Sequence, residues 1–136
     1  MANTLRLEII TREAVVYSED VDLVTLPGIE GQLGIFPLHI RLMTPMVPGE
    51  MIVHKDGRDS FLAVGEGLVA IRGDRVSIVT DMAVAAEKID EAKVEEARQR
   101  AAARLREKIS DEEVASVNAS LARSLAQLKV KRRHRG

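Results

Sequence analysis

Three glycines at a spacing of three, Gly28-x-x-Gly31-x-x-Gly34, stand between two short β-like runs and are followed by Pro37 and His39. Glycine enters left-handed conformations without a Cβ penalty, so a surface loop this rich in it is shaped to touch something. Phosphate is the first ligand to consider. The stretch lacks the Gly-Lys-Ser/Thr ending of a P-loop and the Gly-x-Gly-x-x-Gly of a dinucleotide fold, and it precedes a strand. It reads as a glycine-rich turn. No nucleophile motif such as Gly-x-Ser-x-Gly occurs, and the acids are scattered among strand edges and turns. His39, His54 and His134 lie far apart without metal-ligand spacing, and cysteine is absent. Neither a metal site nor a disulfide is therefore expected. His39, beside prolines, reads as a structural hydrogen-bonding residue rather than a general base. The expectation is a protein with no catalytic residues, not an enzyme.

The remaining chemistry is electrostatic. Residues 1–86 carry 12 acids and 7 bases, a net −5, whereas residues 87–136 carry 9 acids and 13 bases, a net +4. An acidic head with a basic tail predicts that the tail meets an acidic surface, its own head or a partner's. Lys129-Val130-Lys131-Arg132-Arg133-His134-Arg135 concentrates that charge. It suits nucleic acid, anionic lipid or an acidic protein surface, or else a solvated helix end whose charge matches the macrodipole. Aromatics are 2% of the chain, which argues against nucleic-acid binding by base stacking.

At 136 residues the chain suits one compact domain, or a small domain with an appendage. No run of eighteen apolar residues occurs, so no transmembrane segment is expected, and the N-terminus has no signal or transit pattern. That places the protein in the cytosol, or on the inner side of a membrane where partners hold it.

The first 80 or so residues alternate with a period of two, as Leu5, Leu7 and Ile9 do with Arg6 and Glu8. Strands are predicted over 15–17 and 21–26, separated by Ser18-Glu19-Asp20. Asp56-Gly57 predicts a hairpin between 51–54 and 60–64, and Gly73-Asp74 a second between 68–72 and 76–80. Pro45 and Pro48 mark an edge or a bend. Short strands punctuated every eight to twelve residues argue for an antiparallel sandwich or barrel.

From Ala83 onward glycine and proline vanish until Gly136. Asp90 is placed as the N-cap of a helix running to about Lys108, with Ala97, Ala101, Leu105 and Ile109 on one face. Ser110 and Glu113 match a capping box. A second helix shows Val114, Val117, Leu121, Leu125 and Leu128 in a narrow stripe, the seam of an antiparallel helix pair. Its partner positions are mostly alanine, so each contact buries little apolar area, and a movable arm is permitted. The fold class is therefore α+β: an N-terminal antiparallel β-sandwich over 1–86 and a C-terminal antiparallel αα-hairpin over 87–136.

The run Gly-x-x-Gly-x-x-Gly-Ile-x-Pro-x-His at 28–39 resembles that of the ε subunit of the bacterial F-type ATP synthase. Val64-Gly65-Glu66-Gly67, the strand end Ile78-Val79-Thr80-Asp81-Met82-Ala83 and the order of β head then helical hairpin resemble it too. The resemblance spans essentially the whole chain. It implies a sandwich of about ten strands, and a non-catalytic rotor part of the central stalk. This part binds the γ subunit, the c-ring of the membrane sector, and the α and β subunits of the catalytic head. It couples proton translocation to ATP synthesis, peripheral to the cytoplasmic face of the cell membrane.

Carried over residue by residue, the resemblance puts Glu30, Gly31, Gln32 and His39 at the c-ring. It makes the hairpin a brake: packed on the head it permits turnover, extended along γ it blocks ATP hydrolysis. Arg123, Lys129, Lys131, Arg132 and Arg133 would then face an acidic loop of the catalytic β subunits. Some relatives bind regulatory ATP through Ile-Asp-x-x-Arg-Ala. This chain has Ile89, Asp90 and Lys93 at the matching positions, with Arg98, Arg100 and Arg123 to add charge; no other cofactor is implied. The alternative reading is a β-sandwich ligand-binding module with a helical oligomerisation tail.

Overall fold

The computed structural model describes residues 3–134, and of His39 the backbone alone. The strands are β1 (Leu5–Ile10), β2 (Val15–Val21), β3 (Leu23–Gly28), β4 (Gly31–Ile35), β5 (His39–Met46), β6 (Gly49–Lys55), β7 (Arg58–Val64), β8 (Gly67–Gly73), β9 (Arg75–Thr80) and β10 (Ala83–Ala85). A short 3-10 turn over Ala86–Lys88 leads into α1 (Glu91–Arg104) and α2 (Asp111–His134).

The strands form one hydrogen-bonded sheet in the order β10-β7-β6-β3-β5-β8-β9-β1-β2, with β4 paired to β3. β2 comes back against β6, where Lys55 pairs with Glu19 and the Asp56 amide donates to Asp22 at 2.9 Å. The sheet thus wraps around a single aliphatic core. The inward residues of each strand fill it: Leu5, Leu7 and Ile9 from β1, Met51 and Val53 from β6, Val76 and Ile78 from β9. Pairing is antiparallel as expected, except that β1 and β9 run parallel.

The two predicted hairpins form. Asp56 and Gly57 have φ of 53° and 74°, the doubly positive geometry that matches the twist of the flanking strands. Pro45 lies in β5, which is paired along its length only with β8 and touches β3 at a single register position, so the missing donor costs no ladder bond on the other side.

Three expectations need correction. Ser18-Glu19-Asp20 does not interrupt β2; those residues pair with Glu8, Leu7 and Arg6, and Arg6 holds Ser18 and Asp20. An edge strand tolerates polar residues that a neighbour can bind. α1 stops at Arg104 rather than near Lys108. Its last amides turn to i→i+3 acceptors, and Arg104 closes the connection by binding Glu107 at 2.8 Å and Glu113 at 2.6 Å. Leu105 and Ile109 accordingly fall in the connection. Finally, Leu125 is half exposed, and the buried residues of α2 are Ser124, Ala126, Leu128 and Val130. A seam between two helices would bury one stripe. Here the second half of α2 is covered by α1 on one side and by β6, β7 and the 3-10 turn on another.

That seat is a second apolar cluster: Ala63, Ala86, Ile89 and Val130, with Phe61, Met82, Val84 and Val94 against it. It explains why the end of β7 abandons alternation. Leu62 and Val64 face the main core while Ala63 faces α2, so three consecutive residues are buried.

Candidate functional site

Capping sets the start of each helix. Asp90 Oδ1 accepts from the Lys93 amide at 3.2 Å, and Ser110 Oγ from the Glu113 amide at 3.2 Å, as the two cap signals predicted. α2 then presents its cations to the head and to α1. Arg123 Nη1 donates to Asp81 Oδ2 at 3.0 Å. Lys131 Nζ donates to the Ala86 carbonyl at 3.3 Å, and Arg132 reaches Glu91 at 2.8 Å and Glu95 at 3.5 Å. Arg133 reaches Glu50 at 3.0 Å; Lys129 is exposed.

Glu50 is the centre of the last contact. Its side chain is only 8% exposed, and it takes Arg133 on one oxygen and His134 Nε2 on the other at 2.5 Å. The His134 ring also stacks on Phe61, with centroids 3.7 Å apart. The sequence reading singled out the cations of the tail but not their receptors. Asp81, Glu50 and Phe61 carry no local motif, and only the negative balance of the head hinted at them. The direction of the charge split was right: in this conformation the basic arm meets its own acidic head.

Ion pairing shifts titration within the arm. The Arg98 guanidinium, bound to both Glu95 oxygens, holds the Glu95 carboxyl below the ordinary glutamate range, and Arg132 adds to this. Hydrogen bonding to Glu91 raises Arg132 further.

Between α1 and α2 lies an open groove of about 420 Å³, lined by Ala97, Arg100, Arg104, Ser120, Arg123 and Gln127 among others. Of the residues matched to nucleotide binding, Arg100 and Arg123 line it. Ile89 is buried in the second cluster, Asp90 is spent as the cap, and Arg98 is held by Glu95. Lys93 is exposed on the first turn of α1.

The glycine run is a hairpin, β3–β4, with Ile29 and Glu30 at its tip and Gly31 at φ 121°. Gly28 pairs with Met46, so the antiparallel register sends the tip back along β5. A depression of about 510 Å³ is lined by Gly28 to Leu33 together with Leu42 and Thr44. Glu30, Gly31 and Gln32 are thus gathered at one exposed tip. The His39 backbone opens β5 opposite Gly73, and its side chain lies outside the described residues. Nearby apolar residues are left to solvent: Ile29 64%, Leu38 72%, Ile40 78% and Met43 66% exposed. Such a patch belongs to a subunit that binds something.

The head with a clamped, ion-paired helical arm and an open apolar tip defines a binding subunit, and the comparisons say which. The ATP synthase Delta/Epsilon chain beta-sandwich domain matches residues 4–86, and the long alpha-helix domain of the same family matches 87–132. An ATP synthase epsilon chain of Dehalococcoides mccartyi is 40% identical over 132 residues, covering 96% of this chain and 94% of its own. That of Herpetosiphon aurantiacus is 39% identical over 126 residues, covering 93% of each. The chain belongs to the ATP synthase delta/epsilon family, and is a non-catalytic subunit of the synthase central stalk that serves ATP synthesis. The fold is also that of a chain in the Euglena gracilis mitochondrial ATP synthase OSCP/F1/c-ring structure, with TM-score 0.74 at 21% identity over 93% of this chain and 79% of that one. A chain of the Tetrahymena thermophila mitochondrial ATP synthase central stalk and c-ring gives 0.64 at 12%, covering 93% and 96%. The synthase is a membrane-associated complex, and no helix among the described residues of this chain is long and apolar enough to cross a membrane.

Proposed function

We propose that the chain seats its β head on the γ subunit and the c-ring, at the cytoplasmic face of the membrane, and that its arm restrains ATP hydrolysis by changing partners. One observation carries this. Arg123, Arg132 and Arg133, which the family resemblance directs at the catalytic β subunits, are bound here to Asp81, Glu91, Glu95 and Glu50 of the chain itself. The same cations cannot serve both sets of acids at once. The docked arm is therefore the permissive state; release of the arm from the head frees Arg123 and Arg133 for the catalytic head, and parting of α2 from α1 frees Arg132. A ligand or partner shifts such an equilibrium only through its differential affinity for the two states.

The exposed glycine tip, with Glu30, Gly31 and Gln32, is the surface offered to the c-ring. The interhelical groove offers Arg100 to a regulatory ATP, which draws on Arg104 and Arg123 only by displacing their partners Glu107, Glu113 and Asp81. Isothermal titration with millimolar ATP showing no heat would remove that ligand.

The test of the brake is removal of residues 88–136 from the assembled synthase. ATP hydrolysis rises while assembly and synthesis persist. Unchanged hydrolysis would overturn the regulatory role and leave the stalk role standing.

A further inference from the structure

The last contact between arm and head is an ionisable pair set against an aromatic ring. Glu50 is on the outward side of β6, since Met51 and Val53 point into the main core, and it pairs with Ala63 in the seat of α2. Its two oxygens are divided between two bases. Oε1 accepts from Arg133 Nη1 at 3.0 Å, and Oε2 meets His134 Nε2 at 2.5 Å. The His134 ring lies nearly parallel to that of Phe61, 15° between planes and 3.7 Å between centroids. Glu50 is 8% exposed and His134 19%, so the pair is largely covered but water reaches the imidazole.

An ionised carboxylate only accepts, so Nε2 carries the hydrogen in this pair whether the ring is neutral or charged. The contact therefore survives loss of the ring's charge, in a weaker form. A neutral ring gives Glu50 an ordinary hydrogen bond; an imidazolium gives it a charge-assisted one, about twice as strong. Two further features favour the charged ring. The face of Phe61 attracts a cation laid over it, and His134 is the final residue of α2, where the helix dipole is negative. Arg133, which shares Glu50, opposes it, as does Lys131 one turn back, held by the Ala86 carbonyl at 3.3 Å. The other charges around the end of α2 are already engaged or face water. Asp59, the next outward residue of β7, is held by His54 at 2.6 Å. Glu91 and Glu95 of α1 hold Arg132, and Glu87 and Lys88 of the 3-10 turn are exposed. Glu50 thus decides the balance, and docking is tighter with the ring charged.

We infer that His134 is a proton-operated latch: protonated, it fastens the end of α2 to Glu50 and Phe61, and on losing the proton it loosens the arm from the head. Histidine changes charge between about pH 5 and 8, so docking is tightest below that range and weakens as pH rises through it. Arg133 keeps its charge throughout, so the latch tunes docking rather than abolishing it. The consequence for the synthase rests on the brake proposed above: alkaline conditions free the arm and restrain hydrolysis.

The test uses the full-length chain with distance labels at R58C and K129C, both exposed positions in a chain without cysteine. The docking constant is read from the fraction of released arm over a series of urea concentrations below those that unfold the head. For wild type it is expected to fall roughly tenfold from about pH 5.5 to about pH 8.5. H134Q is expected to dock weakly at both, and H134R, which keeps the charge, tightly at both. H54N is expected to retain the wild-type difference, which separates His134 from the other histidine pair of the head. A wild-type constant equal at the two pH values, or a difference that persists in H134Q, would overturn the latch. In the assembled synthase, H134R should hydrolyse ATP faster than wild type at about pH 8.5 and equally at about pH 5.5. Equal hydrolysis at both, beside a rise on removal of residues 88–136, would overturn the latch in the complex and leave the brake standing. If that removal changes nothing the brake falls, and the label measurement still decides the latch.

Discussion

Gly65 and Asp81 are packed so closely that a Cβ on the glycine would fall 1.8 Å from Asp81 Oδ1 and 3.5 Å from Arg123 Cγ. The glycine leaves the Asp81 side chain its present place, which a Cβ would make it give up. It lets Asp81 turn its carboxylate toward α2 and hold Arg123, 42 residues away in the chain. Gly65→Ala should displace Asp81 and lower the free energy for opening of α2 by about 1 kcal/mol, the scale of a partly exposed ion pair. Amide hydrogen exchange of residues 120–130 is the measurement. Protection equal to wild type would mean that Arg123 is not a latch.

The Glu50 contact should matter more, because one carboxylate only 8% exposed holds both Arg133 and His134. Glu50→Gln keeps the shape and removes the charge that Arg133 and His134 share. It should loosen the end of α2 by about 2 kcal/mol, the scale of hydrogen bonds to a charged group. In the assembled synthase the same change should lower ATP hydrolysis, since the arm is freed more often. Faster hydrolysis would contradict the exchange of partners proposed for the arm.

Leu125 and Leu128, both in the stripe expected from spacing, differ in how far the packing of α2 covers them. Leu128 is 2% exposed, so Leu128→Ala should cost about 2–5 kcal/mol of arm docking. Leu125→Ala, on the exposed side, should change it by less than about 0.5 kcal/mol. Hydrogen exchange along α2 reads both. Equal effects would restore the stripe expected from spacing alone.

The pH dependence follows from Glu95. Its carboxyl titrates below the ordinary glutamate range because Arg98 binds it, with Arg132 assisting. A carboxyl whose folded value is depressed contributes stability that is complete above the unfolded value and is lost as pH falls through the folded one. Helicity of α1 and α2 should therefore decline as pH drops below about 4. Glu95→Gln should flatten that acid limb by lowering helicity at neutral pH to the same small extent, since the pair is solvent-screened. Circular dichroism against pH decides it.

Much of this molecule is local in origin. Period-two alternation in β1, the Asp56-Gly57 turn, the caps at Asp90 and Ser110 and the absence of glycine and proline after Ala83 are each set by a few neighbouring residues. Backbone sterics and short-range hydrogen bonds act over that distance, so the α+β order and the start of each helix follow from the sequence by itself. The glycine hairpin and the charge split also follow from it, because both are properties of adjacent residues or of composition. Tertiary structure alone decided that Ser18 to Asp20 stay in a strand, that β1 runs parallel to β9, and that α2 turns Leu128 rather than Leu125 inward. It also chose Asp81 and Glu50 as the receptors of the arm. The reason is physical: pairing, packing and charge contacts join residues tens of positions apart, and their register depends on how the whole sheet closes around its core.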